Sequence, residues 1–250
     1  MSTRSKTAII TGASSGIGLA TARTFVANGF NVVMSGRDPA RLEAARESLG
    51  APESTLAVAG DVGRAEDRAA LVVKTLERFG AIDVLVNNAG YFALTPFQEV
   101  TEEILDGFLT TNFKGTYFTA QAVVPHMQAN GGGSIINVGS VLVDHAIGGA
   151  PASAPIAIKG AIHAMTVQLA AELSSDNIRI NTVAPGIIRT NMHVSEGVDN
   201  TDTMAGLHLL GRVGESEEVA EAALYLASNA FTTGTILNVD GGHVAGHHVG

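Results

Sequence analysis

The 250-residue chain has no cysteine and no tryptophan, only three tyrosines, and 15 Lys and Arg against 24 Asp and Glu. Without cysteine there are no disulfides and no thiolate chemistry. A formal net charge of -9 with no run of Lys or Arg argues against nucleic-acid and anionic-membrane surfaces, because both require clustered positive charge. No apolar run approaches the roughly 20 residues that cross a bilayer, and the polar stretch Met1 to Lys6 is not followed by the apolar core of a secretion signal. The expectation is a cytoplasmic protein whose partners are small molecules, with neither nucleic acid nor membrane among them.

What is present is 46% hydrophobic residues and 29 glycines spread along the chain, enough for one sizeable α/β core over 1–250 and short for two domains. Short Val- and Ile-rich runs alternate with stretches of helical period, the pattern of repeated βαβ units around a buried parallel sheet. Seven strands are predicted near Thr7–Ile10, Asn31–Met34, Thr55–Ala59, Val84–Asn87, Ser134–Val138, Ile178–Val183 and Thr235–Val239. Helices are predicted to begin near Ile17, Pro39, Ala65, Glu102, Ser153 and Ser216. Residues 189–211, polar and weakly periodic, read either as a mobile cover over a site or as an ordinary surface excursion.

The first strand runs directly into TGASSGIG, which contains Gly12, Ser14, Ser15, Gly16, Ile17 and Gly18. Glycines here let the backbone approach a pyrophosphate, and the following helix start offers unpaired N–H groups and a positive dipole end. The second strand ends at Ser35-Gly36-Arg37, where an NAD site would place a carboxylate for the ribose 2'-hydroxyl. Arg37 instead suits a 2'-phosphate, so NADP(H) is the expected cofactor. The alternative is a solvated surface arginine.

Together with Asn87–Gly90 (NNAG), Asn112 in TNFKG, Ser140 in INVGS, Lys159, the APG of Ala184–Gly186 followed by Thr190, and the closing RVGESEEVA and NVDGG, these motifs resemble the short-chain dehydrogenase/reductase family over essentially the whole chain. The resemblance implies a single doubly wound, Rossmann-type domain with a seven-stranded parallel sheet, assembled as a homotetramer or dimer. It also implies roles. Asp61 and Val62 would flank the adenine, Asn88, Ala89 and Gly90 would line the dinucleotide groove, Ile188 and Thr190 would lie near the nicotinamide, and Pro185 and Gly186 would also bind the cofactor. Asn112 would interrupt its helix and position a water leading to Lys159. Lys159 would hold the nicotinamide ribose, and Ser140 would hydrogen-bond a substrate oxygen.

The departure is at Pro155-Ile156-Ala157-Ile158-Lys159, where the family has Tyr-x-x-x-Lys. The tyrosine that gives a proton to the substrate oxygen is replaced by a residue with no titratable group. The proline is admissible in the first turn of a helix capped by Ser153, where a missing N–H costs little. Ile156 and Ile158 are expected to dry the pocket beside Lys159 and lower its pKa.

Of the three tyrosines, Tyr117 and Tyr225 fall in helices the family directs elsewhere, and Tyr91 reads as a rim aromatic or a substitute acid. His145, five residues past Ser140, is the candidate proton-transfer residue because imidazole titrates near neutrality. His163 reads as packed and hydrogen-bonded, and His193 and His208 belong to the possible cover. Ser140 and Ser153 could only pass a proton along. His243, His247 and His248 read as a flexible, exposed tail rather than a metal site, since no carboxylate or cysteine completes a ligand shell. The functional expectation is an NADP(H)-dependent oxidoreductase reducing a carbonyl or imine, or running the reverse reaction, with a non-tyrosine proton donor. A catalytically silent nucleotide-binding subunit and a non-redox isomerase or lyase are the alternatives.

Overall fold

The computed structural model describes residues 4–190 and 201–246. Seven parallel strands form one sheet in the order β3-β2-β1-β4-β5-β6-β7. They are β1 (Thr7–Thr11), β2 (Asn31–Gly36), β3 (Thr55–Ala59), β4 (Val84–Asn87), β5 (Gly133–Val138), β6 (Ile178–Pro185) and β7 (Ile236–Val239). The helices are α1 (Gly16–Ala27), α2 (Pro39–Glu47), α3 (Ala65–Phe79), α4 (Glu102–Phe108), α5 (Gly115–Ala129), α6 (Ser153–Glu172) and α7 (Ser216–Ser228).

Alternation along the strands sorts their side chains between two helical layers. Ala8 and Ile10 of β1, Val32 and Met34 of β2 and Val84 and Val86 of β4 join Phe25, Leu42, Val219 and Leu226 on one face. Ile9, Val33 and Leu85 point the other way, into a cluster with Leu71, Val72, Val123, Met127 and Ala170. Both faces are covered, so the strands read as continuous hydrophobic runs. Asp38 caps α2 by accepting from the N–H groups of Ala40 and Arg41, and Thr101 caps α4 through Ile104 N–H.

The interruption expected at Asn112 is a π-helical turn, Leu109–Lys114, through which α4 passes into α5. One sequence expectation needs correction. Ser153 does not cap α6. Ala152 is the cap residue, without a side-chain hydrogen bond, and Ser153 is the first helical residue. The proline remains tolerable there, because Pro155 still lies within the first turn, whose N–H groups have no intrahelical partner.

The sheet order reverses between β1 and β4, which opens a crevice at the carboxyl ends of these strands. β5 and β6 extend its wall, and α6 packs along them.

Candidate functional site

At the β1–α1 turn, Gly12 and Gly16 adopt φ of +66° and +53°, a left-handed backbone that glycine enters without strain. Gly18 is required for a different reason: a Cβ there would collide with the Gly12 carbonyl oxygen and the Asn88 amide. Asn88 ties this turn to the end of β4, donating through Nδ2 to the carbonyls of Thr11 (3.0 Å) and Gly12 (3.1 Å). Thr11 Oγ1 accepts from the backbone of Asn88 and Ala89 in return.

The crevice has two parts. An outer hollow of about 730 Å³ is lined by Ser14, Ser15, Ser35, Gly36, Arg37, Arg41, Asp61, Val62, Gly90 and Thr111, among others. Arg37 and Arg41 are both exposed, and Arg41, on the first turn of α2, was missed in the sequence although it stands four residues past Arg37. The inner cleft, about 1160 Å³ counting its open mouth, is lined by the glycine turn, Ile17, Asn88–Phe92, Val138–Ser140, Leu142, Lys159, Pro185–Ile188 and Thr190. The structure therefore gathers most of the sequence-selected residues in one crevice, with Gly18, Asn112 and His145 outside its lining.

Lys159 is held by the end of β5, Nζ donating to the Val138 carbonyl at 2.6 Å. Its burial disfavours the ammonium and pushes the pKa down to about 8. The isoleucines expected to dry it lie elsewhere. Ile158 packs against Phe108 and Ala154, and Ile156 lines a separate groove with Phe97 and Leu142. Ser140 Oγ accepts from Leu142 N–H at 3.2 Å, which leaves its hydroxyl proton to donate.

Asn112 is buried in the π-helical turn. Its side chain accepts from Tyr91 N–H (3.1 Å) and donates to the Tyr91 carbonyl (2.7 Å), while its own carbonyl accepts from Thr116 Oγ1. Tyr91 stacks on Phe108 with ring centroids 4.5 Å apart. Its hydroxyl lies against Gly107, where a Cβ would meet it at 2.5 Å, and burial raises its pKa. Its hydroxyl is thus directed at α4, although the residue lines the cleft with Lys159. Tyr117 and Tyr225 are exposed on α5 and α7.

The histidines are less dispersed than the sequence suggests. His243 is buried, not part of an exposed tail. Its ring meets that of His145 edge-on at 5.1 Å and that of His208 at 5.7 Å. His208 Nε2 accepts from Ile187 N–H at 3.1 Å, so the residue after the Thr201–Leu207 helix packs behind the cleft wall. Among the described residues no group of three or more His, Cys, Asp or Glu is placed to hold a metal ion. His193, His247, His248 and positions 191–200 of the expected cover lie outside the described residues. No helix among the described residues is long and apolar enough to cross a membrane.

A sequence model described as enoyl-(acyl carrier protein) reductase matches residues 12–244. The chain belongs to the short-chain dehydrogenase/reductase family. It is 38% identical to L-fucose dehydrogenase of Mus musculus over 97% of this chain and 89% of that protein. It is 36% identical to 3alpha-hydroxysteroid dehydrogenase of Mediterraneibacter gnavus, over 96% of this chain and 98% of that protein. Among solved structures, 3-ketoacyl-(acyl-carrier-protein) reductase from Brucella melitensis complexed with NADH matches with a TM-score of 0.90 at 32% identity, over 96% of this chain and 98% of that one.

The turn geometry predicts that Gly18→Ala destabilises the protein by about 1–3 kcal/mol, because the added methyl must push the turn off Asn88. Urea unfolding measures this directly, and an unchanged midpoint would contradict the close approach.

Proposed function

We propose that this protein is an NADP(H)-dependent oxidoreductase that reduces a small-molecule carbonyl, or oxidises the corresponding alcohol, with Lys159 as proton donor in place of the family's tyrosine. One observation carries this reading. Lys159 and Tyr91 are the only titratable side chains among the described residues lining the inner cleft, Lys159 shares that lining with Ser140, and burial pushes its pKa down to about 8.

The crevice fits the cofactor. The glycine turn is closed to any Cβ at Gly18, so backbone N–H groups at the start of α1 would receive the pyrophosphate with Ser14, Ser15, Gly16 and Ile17. Asp61 and Val62 would flank the adenine, Asn88, Ala89 and Gly90 the groove, and Pro185, Gly186, Ile188 and Thr190 the nicotinamide. Arg37, with Arg41 beside it, would take the 2'-phosphate. When bound, the reduced nicotinamide supplies a hydride.

The protein's part is positioning and proton delivery. The Ser140 hydroxyl donates to the carbonyl oxygen, and the Lys159 ammonium gives that oxygen a proton as negative charge develops on it. The lysine leaves as a neutral amine, which burial favours, and regains its proton from solvent. Below pH of about 8 the acid form dominates, so carbonyl reduction is supported there and declines as pH rises through that value. The reverse oxidation needs the neutral amine and gains over the same range. Asn112 holds the Tyr91 backbone that forms the facing wall.

The test is deuterium transfer from NADPH labelled on the transferred C4 position to a panel of ketones and cyclic imines, read by mass spectrometry. Labelled alcohol from ketones, with a rate falling above pH of about 8, is expected. Labelled amine from imines alone would remove the acid role of Lys159, since an iminium accepts hydride without an acid. Cofactor binding with no label transfer would make the protein a silent subunit or a non-redox enzyme. For the cofactor, Arg37→Ala should weaken NADPH binding by about 10–100-fold, the loss of a charge-assisted hydrogen bond. NADH binding should change little, and equal weakening of both would reject the 2'-phosphate role.

A further inference from the structure

His163 lies one turn past Lys159 on α6, is 8% exposed, and accepts the Ser140 backbone N–H on Nε2 at 3.4 Å. Its ring packs so closely on the end of β5 that a Cβ on Gly139 would collide with Nε2. A buried nitrogen that accepts a hydrogen bond carries no proton, so the imidazole here is neutral, with its proton on Nδ1. Protonating Nε2 would turn the acceptor into a donor facing a donor. The Ser140 N–H would then have no partner, and the β5 end that presents the Ser140 hydroxyl and the Val138 carbonyl would have to shift.

From these contacts we infer that His163 is a positioning residue: in its neutral form it fixes Ser140 and the Lys159 anchor, and its protonation disables the site. This rests on the proposed reaction at Ser140 and Lys159. Two charged groups face the imidazole, Lys159 on its own helix and Asp144 from the segment after β5. Burial lowers the histidine pKa most, Asp144 opposes this, and the Lys159 charge adds to the lowering. From β6 the uncharged Thr182 side chain packs against the same Gly139 position.

The two groups therefore bound activity from opposite sides. Carbonyl reduction needs Lys159 protonated, which gives an alkaline limb near pH of about 8, and His163 neutral, which gives an acid limb below the ordinary histidine value of about 6.5. In His163→Gln the side-chain carbonyl can still accept from Ser140 N–H and does not titrate. The inference predicts that this variant loses the acid limb of kcat/KM and keeps the alkaline one. His163→Leu, which offers no acceptor, should lose at least about 10-fold in kcat/KM at neutral pH, as for a buried donor left unpaired, while NADPH affinity stays within about 3-fold.

Nitrogen-15 spectra of the wild-type protein without substrate provide a readout independent of catalysis. They should show His163 as the Nδ1–H tautomer with a midpoint below that of an exposed histidine. An acid limb that persists unchanged in His163→Gln, or an ordinary midpoint for His163, overturns the inference. Loss of the alkaline limb from the wild type, with the acid limb and the tautomer as expected, sinks the Lys159 proposal and leaves His163 in place.

Discussion

The attachment of α6 to β5 and β6 is the constraint on which the site depends. Lys159, His163 and Thr166 recur at the spacing of one helix face, and each meets the sheet at a polar group. Lys159 donates to the Val138 carbonyl, His163 accepts from Ser140 N–H, and Thr166 Oγ1 accepts from Asn137 Nδ2 at 3.0 Å and pairs with Thr182 Oγ1 at 2.7 Å. Asn137 accepts in turn from Asn87 Nδ2 on β4. A ladder of buried polar groups thus crosses β4, β5 and β6 beneath the cleft. Such groups are costly unless satisfied, and satisfying them leaves the helix one register in which Lys159 sits against the crevice.

This attachment explains why the proline at position 155 can coexist with an ordered site. Pro155 is buried in the first turn of α6, before the stripe begins, and removes no hydrogen bond that holds the helix to the sheet. The loss is chemical and not architectural. On the proposed reading, Pro155 offers no acid where the family has a tyrosine, while burial pushes the Lys159 pKa down to about 8. The proposed mechanism uses that lysine directly, so a supporting group takes over the role of the missing one.

Much of the fold was legible because it is written in periodicity. The seven predicted strands overlap the seven found, since Val- and Ile-rich runs buried on both faces leave little else for them to be. The glycine turn was legible for steric reasons, and Lys159 through its setting. What escaped was decided by packing between distant segments. Nothing near His243 in sequence announces the rings of His145 and His208 around it. The placement of Ile156 and Ile158 away from Lys159 followed from helix phase, which alone does not say which neighbour each face meets. The family resemblance implied an interruption at Asn112, but not its π-helical form or its tie to the Tyr91 backbone 21 residues away.

The proposed mechanism makes Lys159 an acid suited to neutral pH. The most direct measurement is a titration of the Lys159 amine by carbon-13 and nitrogen-15 NMR in the protein saturated with NADP+. A midpoint near the value of about 8 set by burial is expected. A midpoint at the ordinary lysine value of about 10.4 would contradict it, because the ammonium would then hold its proton too tightly to deliver it.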